Sequence, residues 1–192
     1  MPAQQGPAPD SGTPDREFTA AVARAQDACV RLLAARERSR HELADRLTRR
    51  EFPAPVIEEV LARLERAGLV DDRRFAEQWV HFRHRDSGRA RAVLARELRD
   101  KGVAADVVDD ALTQIDQDDE YARATELVRP RMARALTAPV TDPRERDRIL
   151  RRLLGVLARR GYPSSIAHAV VRQAWEARMD ELTAAEDAEP SP

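Results

Sequence analysis

The stretch Glu42–Leu64, ELADRLTRREFPAPVIEEVLARL, decides the fold, because variants of it recur twice further along the chain. Val93–Ile115 reads VLARELRDKGVAADVVDDALTQI, and Arg152–Ala174 reads RLLGVLARRGYPSSIAHAVVRQA. Aligned without gaps, at periods of 51 and 59 residues, the apolar positions superpose. Leu43 matches Leu94 and Leu153; Leu47 matches Leu98 and Leu157; Phe52 matches Val103 and Tyr162. Val56, Val107 and Ile166 follow, then Val60, Ala111 and Val170. Self-similarity at this period marks a helical repeat array, in which one unit buries too little by itself and its neighbours complete the core.

Each segment predicts two helices around a turn. Leu43 and Leu47 lie four apart, on one helical face. The first helix of the pair ends at Lys101-Gly102 in the second unit and Arg160-Gly161 in the third, where glycine takes the left-handed backbone at little cost. Glu51 holds that place in the first unit and costs about 1 kcal/mol if the backbone is kept. Pro55 suits a first helical position. Ser39-Arg40-His41-Glu42 reads as a capping box. Gly68 closes the second helix; Asp71-Asp72 and Asp142-Pro143 open later ones.

A third amphipathic stretch accompanies each pair. Residues 18–36 carry Val22, Ala25, Cys29, Leu32 and Leu33 at helical spacing. Residues 72–85 carry Phe75, Trp79 and Phe82, whose spacing predicts a core face. Residues 119–136 carry Tyr121, Ala124, Leu127 and Val128, with Pro130 expected to kink or split the helix. The expected fold is all-α: an elongated array of three tandem three-helix repeats, each helix-turn-helix-like. The repeats are placed at 17–69, 70–117 and 118–182. A Pro/Gly-rich tail (1–16) and an acidic tail (183–192) are expected to be disordered.

Composition agrees. Among 192 residues, 35% are charged, only 4% are aromatic and seven are glycine. That argues against a sandwich or barrel, which needs aromatic and β-branched strands and many turns. The net charge of −1 hides a strong partition. Residues 29–105 carry a net +5, 106–127 a net −7 and 128–178 a net +8. Lys101 is the sole lysine; every other basic residue is arginine, a planar fork suited to phosphate or carboxylate. Two basic blocks around an acidic one suit a partner that presents both phosphate and protein. Cys29 stands alone, so no disulfide framework forms, and its apolar stripe predicts a buried thiol. No apolar run approaches the length of a membrane span, and the N-terminus lacks the pattern of a signal peptide. The expectation is a soluble, cytoplasmic protein.

Catalytic chemistry finds no constellation. His81 and His84 stand three apart, but no third ligand completes a metal site. His41 falls in a cap turn and His168 on a helix, neither beside a nucleophile. No strand leads into a Gly-rich phosphate loop. Glu58-Glu59 and Asp109-Asp110 read as exposed helical carboxylates, and Asp71-Asp72 as a cap that sets the geometry between repeats. The reading is therefore of no catalytic residue, no metal and no cofactor.

The stretch SRHELADRLTRREFPAPVIEEVLARLERAGLVDDRRFAEQWV resembles the RecX family, regulators of the bacterial recombinase RecA. The resemblance rests on Leu64 to Ala76 and its Gly68, Leu69, Asp71, Asp72, Phe75 and Ala76. It extends to LARELRDKGV with Lys101-Gly102 and to LARRGY with Arg160-Gly161. Ser87-Gly88-Arg89 departs from the Lys-Gly-Pro frequent in that family. The resemblance covers residues 29–178. It implies a three-repeat helical protein that binds the RecA–DNA filament, restrains ATP hydrolysis and strand exchange, and works as a monomer without a membrane. Candidate contacts to filament or DNA are Arg83, Arg85, Arg89, Arg91, Arg96, Arg99 and Lys101, then Arg148, Arg151, Arg152, Arg159 and Arg160. Arg89 and Arg96 are expected on one helix face. The alternative is a direct DNA binder that needs no recombinase, using its helix pairs as helix-turn-helix units.

Overall fold

Helix follows helix throughout the residues that the computed structural model describes, 13–188, and none of them forms a strand. The helices are α1 (Thr13–Ala35), α2 (Arg40–Thr48), α3 (Ala54–Arg66), α4 (Asp72–Ser87) and α5 (Arg91–Asp100). They continue as α6 (Ala105–Leu112), α7 (Gln117–Ala135), α8 (Pro143–Ala158) and α9 (Ser164–Ala188). The repeated segments are α2–α3, α5–α6 and α8–α9, each preceded by its third helix. Helix extends into both expected tails: residues 13–16 belong to α1, and 183–188 continue α9. Residues 1–12 and 189–192 lie outside the described residues.

Local signals act where the sequence places them. Ser39 Oγ accepts from the Glu42 amide at 3.1 Å, and the Ser39 amide donates to Glu42 at 3.3 Å. Asp142 accepts from the Arg144 amide at 3.0 Å ahead of Pro143. Asp71 accepts from the amides of Arg73 and Arg74 and so caps α4. Pro55 is the second helical residue rather than the first, because α3 starts at Ala54.

Two further expectations are corrected. Pro130 does not split α7, which continues through it to Ala135, since Val128 and Met132, on either side of it, are buried in one core. Phe82 is not core: it is 56% exposed, whereas Phe75 is buried and Trp79 half-buried. The buried face of α4 is centred toward Ala76 and Val80, and Phe82 lies at its edge.

Residue contacts divide the chain into two units, with the boundary inside α4 after Phe75. The first holds the chain up to Phe75 together with Lys101–Val103. Its core joins Val22, Ala25, Ala28 and Cys29 of α1 to Leu43 and Leu47 of α2 and to Val56, Ile57, Val60, Leu61 and Leu64 of α3. Burial pushes the Cys29 thiol up to about 11, so it packs as an inert thiol. The second unit holds Ala76–Asp100 and the chain from Ala104 onward. Its main core joins Ala124, Val128 and Met132 to Ile149, Leu153 and Leu157 and to Ile166, Val170, Val171 and Trp175, with Ala90 reaching in.

Candidate nucleic-acid and partner interface

The turn after each repeated helix sets the geometry of the charged residues. Gly102 and Gly161 both take left-handed backbone, with φ of 71° and 83°. Glu51 takes it too, at 61°, as the repeat predicts. At Gly102 and Gly161 a second demand applies. A Cβ on Gly102 would stand 2.3 Å from His41 Cγ, and one on Gly161 2.4 Å from Val93 Cγ2. The turn of one repeat thus lies against the start of the middle helix of the preceding repeat, where no side chain fits.

Within the first unit, the turn 101–103 is held at the start of α2. Ser39 Oγ donates to the Lys101 carbonyl at 2.7 Å. The Arg40 amide donates to Asp72 at 2.8 Å. Lys101 Nζ lies 2.9 Å from Glu42, which also receives two bonds from Arg36 at 2.9 and 3.2 Å. Burial alone would raise the Glu42 carboxyl, but the hydrogen bonds from Arg36 and Lys101 outweigh it and hold it at about 2. Lys101 also stacks 5.9 Å over the Phe75 ring.

Within the second unit, the turn 160–161 is held at the start of α5. The Ala90 amide donates to the Arg160 carbonyl at 3.0 Å, and the Arg91 amide donates to Glu120 at 2.9 Å. Arg89 Nη1 donates to the Arg159 carbonyl at 3.3 Å. His84 Nδ1 lies 2.8 Å from the Arg89 carbonyl, which only accepts, so Nδ1 carries the hydrogen. His84 therefore anchors this loop rather than presenting a free ligand beside His81. Among the described residues no cluster of three His, Cys, Asp or Glu could hold a metal ion.

The candidate basic residues separate into classes. Arg83 is clamped onto Glu97 at 2.8 and 3.1 Å and lies 5.4 Å over Trp79, whose Nε1 also donates to Glu97. Arg91 donates to the Ile115 carbonyl at 2.7 Å. Arg83, Arg91 and Lys101 thus work inside the fold. Arg89 sits in the turn before α5, not on it, so it shares no helix face with Arg96; Gly88, with φ of 59°, ends the preceding helix and re-aims the chain. Arg96 is exposed beside Asp100 at 3.8 Å, and Arg85 and Arg99 are exposed. On α8, Arg148, Arg151 and Arg152 are exposed; Arg148 lies 2.9 Å from Glu145. Arg159 caps the C-terminus of α8 and Arg160 follows it in the turn, with its Nε buried and without a hydrogen-bond partner.

The signature residues are structural in the same sense. Gly68 turns at φ 68° with open space around it. Asp71 caps α4, Asp72 holds α2, and Phe75 and Ala76 are buried. Leu69 alone is a half-exposed apolar side chain. Arg131 was not among the sequence candidates. It lies on α7, where its Nη1 donates to the Leu127 carbonyl at 2.6 Å, and its positive charge acts on Arg160.

Residues 25–64 match the family model for the first three-helix domain of RecX, and residues 71–112 the model for the second. The chain is 47% identical over 167 residues to the regulatory protein RecX of Streptomyces lividans, covering 87% of this chain and 84% of that one. It is 44% identical over 179 residues to the regulatory protein RecX of Thermobifida fusca, covering 93% and 91%. The fold matches the crystal structure of RecX from Lactobacillus salivarius with a TM-score of 0.69 at 18% identity, over 81% of this chain and 97% of that one. With its tandem three-helix repeats and this level of identity to named regulatory proteins, the chain belongs to the RecX family.

Proposed function

We propose that this protein regulates homologous recombination and repair by binding the RecA–DNA filament and restraining its ATP hydrolysis and strand exchange. It does so as a monomer, without catalysis of its own. The observation that carries this reading is the exposed arginine face of α8, in a family whose relatives are named regulators. Arg148, Arg151 and Arg152 present three forks over barely more than one helical turn. Arginines placed this way neutralise phosphates and release counterions, so binding weakens as salt rises. Successive repeats offer a filament several contacts of modest strength, and linked contacts multiply affinity. No helix among the described residues is long and apolar enough to cross a membrane.

The test is the DNA-dependent ATPase of RecA with this protein added below and up to equimolar amounts. Inhibition at substoichiometric protein is expected; no effect at equimolar protein rejects the proposal. Tight binding of bare DNA at physiological salt, unimproved by RecA and nucleotide, would favour direct DNA binding instead. Replacing Arg148, Arg151 and Arg152 by Ala should weaken filament binding, and unchanged affinity would remove α8 from the interface.

A further inference from the structure

The repeat alignment pairs Lys101 with Arg160 and Glu42 with Val93. In the first unit the turn's cation meets a carboxylate, as Lys101 meets Glu42 at 2.9 Å. In the second unit the carboxylate's place is taken by Val93, and the cation at Arg160 has none. Among the described residues, Arg131, Arg159 and Arg160 make no ion pair with a carboxylate, and Arg89 shares Glu97 only distantly, at 3.9 Å, behind Arg83.

Arg131 Nη1 donates to the Leu127 carbonyl at 2.6 Å, within α7, and the helix-end work that Arg159 and Arg160 could do is already done by other donors. Basic side chains at a helix C-terminus ordinarily serve its free carbonyls. Here the Leu157 carbonyl accepts from the Arg160 and Tyr162 amides, and that of Ala158 from Gly161. The Arg159 carbonyl accepts from Arg89, and that of Arg160 from the Ala90 amide. Arg160 retains one weak bond, to the Val156 carbonyl at 3.4 Å, and its Nε is buried and unpartnered. Arg159 folds back over Gly155, where an added Cβ would stand 3.3 Å from Nη1. Burial, and then the like charges of Arg131, Arg89 and Arg159, hold Arg160 below the ordinary guanidinium range. Like charges gathered without a counter-charge destabilise the fold unless an anion joins them.

We infer that Arg89, Arg131, Arg159 and Arg160 form a site for a backbone phosphate of DNA. Planar forks on three elements suit an oxyanion, and a phosphodiester supplies the charge that Val93 does not. The inference rests on the DNA-contacting part of the proposed function and names its location.

The test uses the full chain without recombinase. Binding of a fluorescent oligo-dT is titrated across a chloride series, for the wild type and for the double variant Arg159→Gln/Arg160→Gln, which keeps the backbone bonds of the turn. The wild type should bind with a salt-dependent slope, and the variant should lose about tenfold in affinity and about one to two units of slope. Val93→Glu, which installs the carboxylate of the first unit, should do the same with all arginines retained. Unchanged slope and affinity in the double variant overturns the site. So does stabilisation of the wild type by inorganic phosphate without any effect of the variant on oligo-dT. Recombinase ATPase is read separately. Inhibition by the wild type with an unchanged DNA slope in the variant rejects only the phosphate site. Loss of DNA binding in the variant, with no inhibition by the wild type, rejects only the regulatory reading.

Discussion

The turns 101–103 and 160–162 are built alike and charged differently. Each ends a helix with a left-handed glycine, leaves no room for a Cβ, and has a carbonyl bonded by the residue before the middle helix of the preceding repeat. Each also has an amide of that helix held by a carboxylate, Asp72 for Arg40 and Glu120 for Arg91. The anchoring donor differs: a serine hydroxyl at Ser39, a backbone amide at Ala90. The charge differs more. Glu42 gathers Lys101 and Arg36, whereas Val93 leaves Arg160 among arginines. Backbone geometry is what the repeat preserves, and side-chain charge is what it is free to alter.

Glycine substitution should break the shared half of this comparison with the largest effect. Gly102→Ala and Gly161→Ala combine left-handed strain with overlap against His41 or Val93. Each should cost about 3 kcal/mol in denaturant unfolding. Gly68→Ala is the control, since nothing lies within 4 Å of its Cβ and only strain of about 1 kcal/mol applies. Equal losses at all three glycines would mean that the docking of the turns contributes nothing.

The charged half is tested by pH. Glu42 titrates at about 2 in the folded chain against an ordinary 4.5. Its stabilisation is therefore complete above about pH 5 and is lost as pH falls toward 2. Burial raises Asp72 instead, which opposes the trend, so the readout is the difference between wild type and Glu42→Gln. That difference should be about 2 kcal/mol at pH 7 and vanish near pH 2. A difference that does not change with pH would remove Glu42 as the hub of the first turn.

Smaller effects sharpen the contrast. Gly155→Ala replaces an interior helical glycine and should stabilise α8 by about 0.8 kcal/mol while moving Arg159. A raised melting temperature with weakened oligo-dT binding would separate fold from phosphate contact; a fall in stability would show that Arg159 cannot yield. Glu51→Gly relieves the one non-glycine residue with positive φ among those described, and should add about 0.5 kcal/mol. A loss on thermal unfolding would mean that the Glu51 side chain contributes more than its backbone costs.

Much of this was legible without coordinates. The apolar register of Leu43, Leu94 and Leu153 predicted buried faces, and all three are buried. The capping box at Ser39 follows from local chemistry, which needs only neighbours in sequence, and the left-handed Glu51 follows from its alignment with Gly102 and Gly161. Phe82 misled because periodicity extends a stripe further than the neighbouring helices cover it. Pro130 does not split α7, because packing of the helix on both sides of it outweighs one lost backbone bond. Arg83 and Lys101 looked like surface cations, and their carboxylates, Glu97 and Glu42, lie 14 and 59 residues away. Arg131 stayed hidden because nothing in its own segment sets it apart.

By itself the sequence determined the helices, their caps, the threefold repetition and the family, since each depends on residue type at short range or on a pattern that recurs. Tertiary structure alone decided which arginines are matched by carboxylates and which stand unmatched. Charge pairing depends on which distant side chains the packing brings within a few ångströms. The exchange of Glu42 for Val93 is visible in the alignment, and the structure gives it meaning: among the described residues Arg160, beside Arg89, makes no ion pair with a carboxylate.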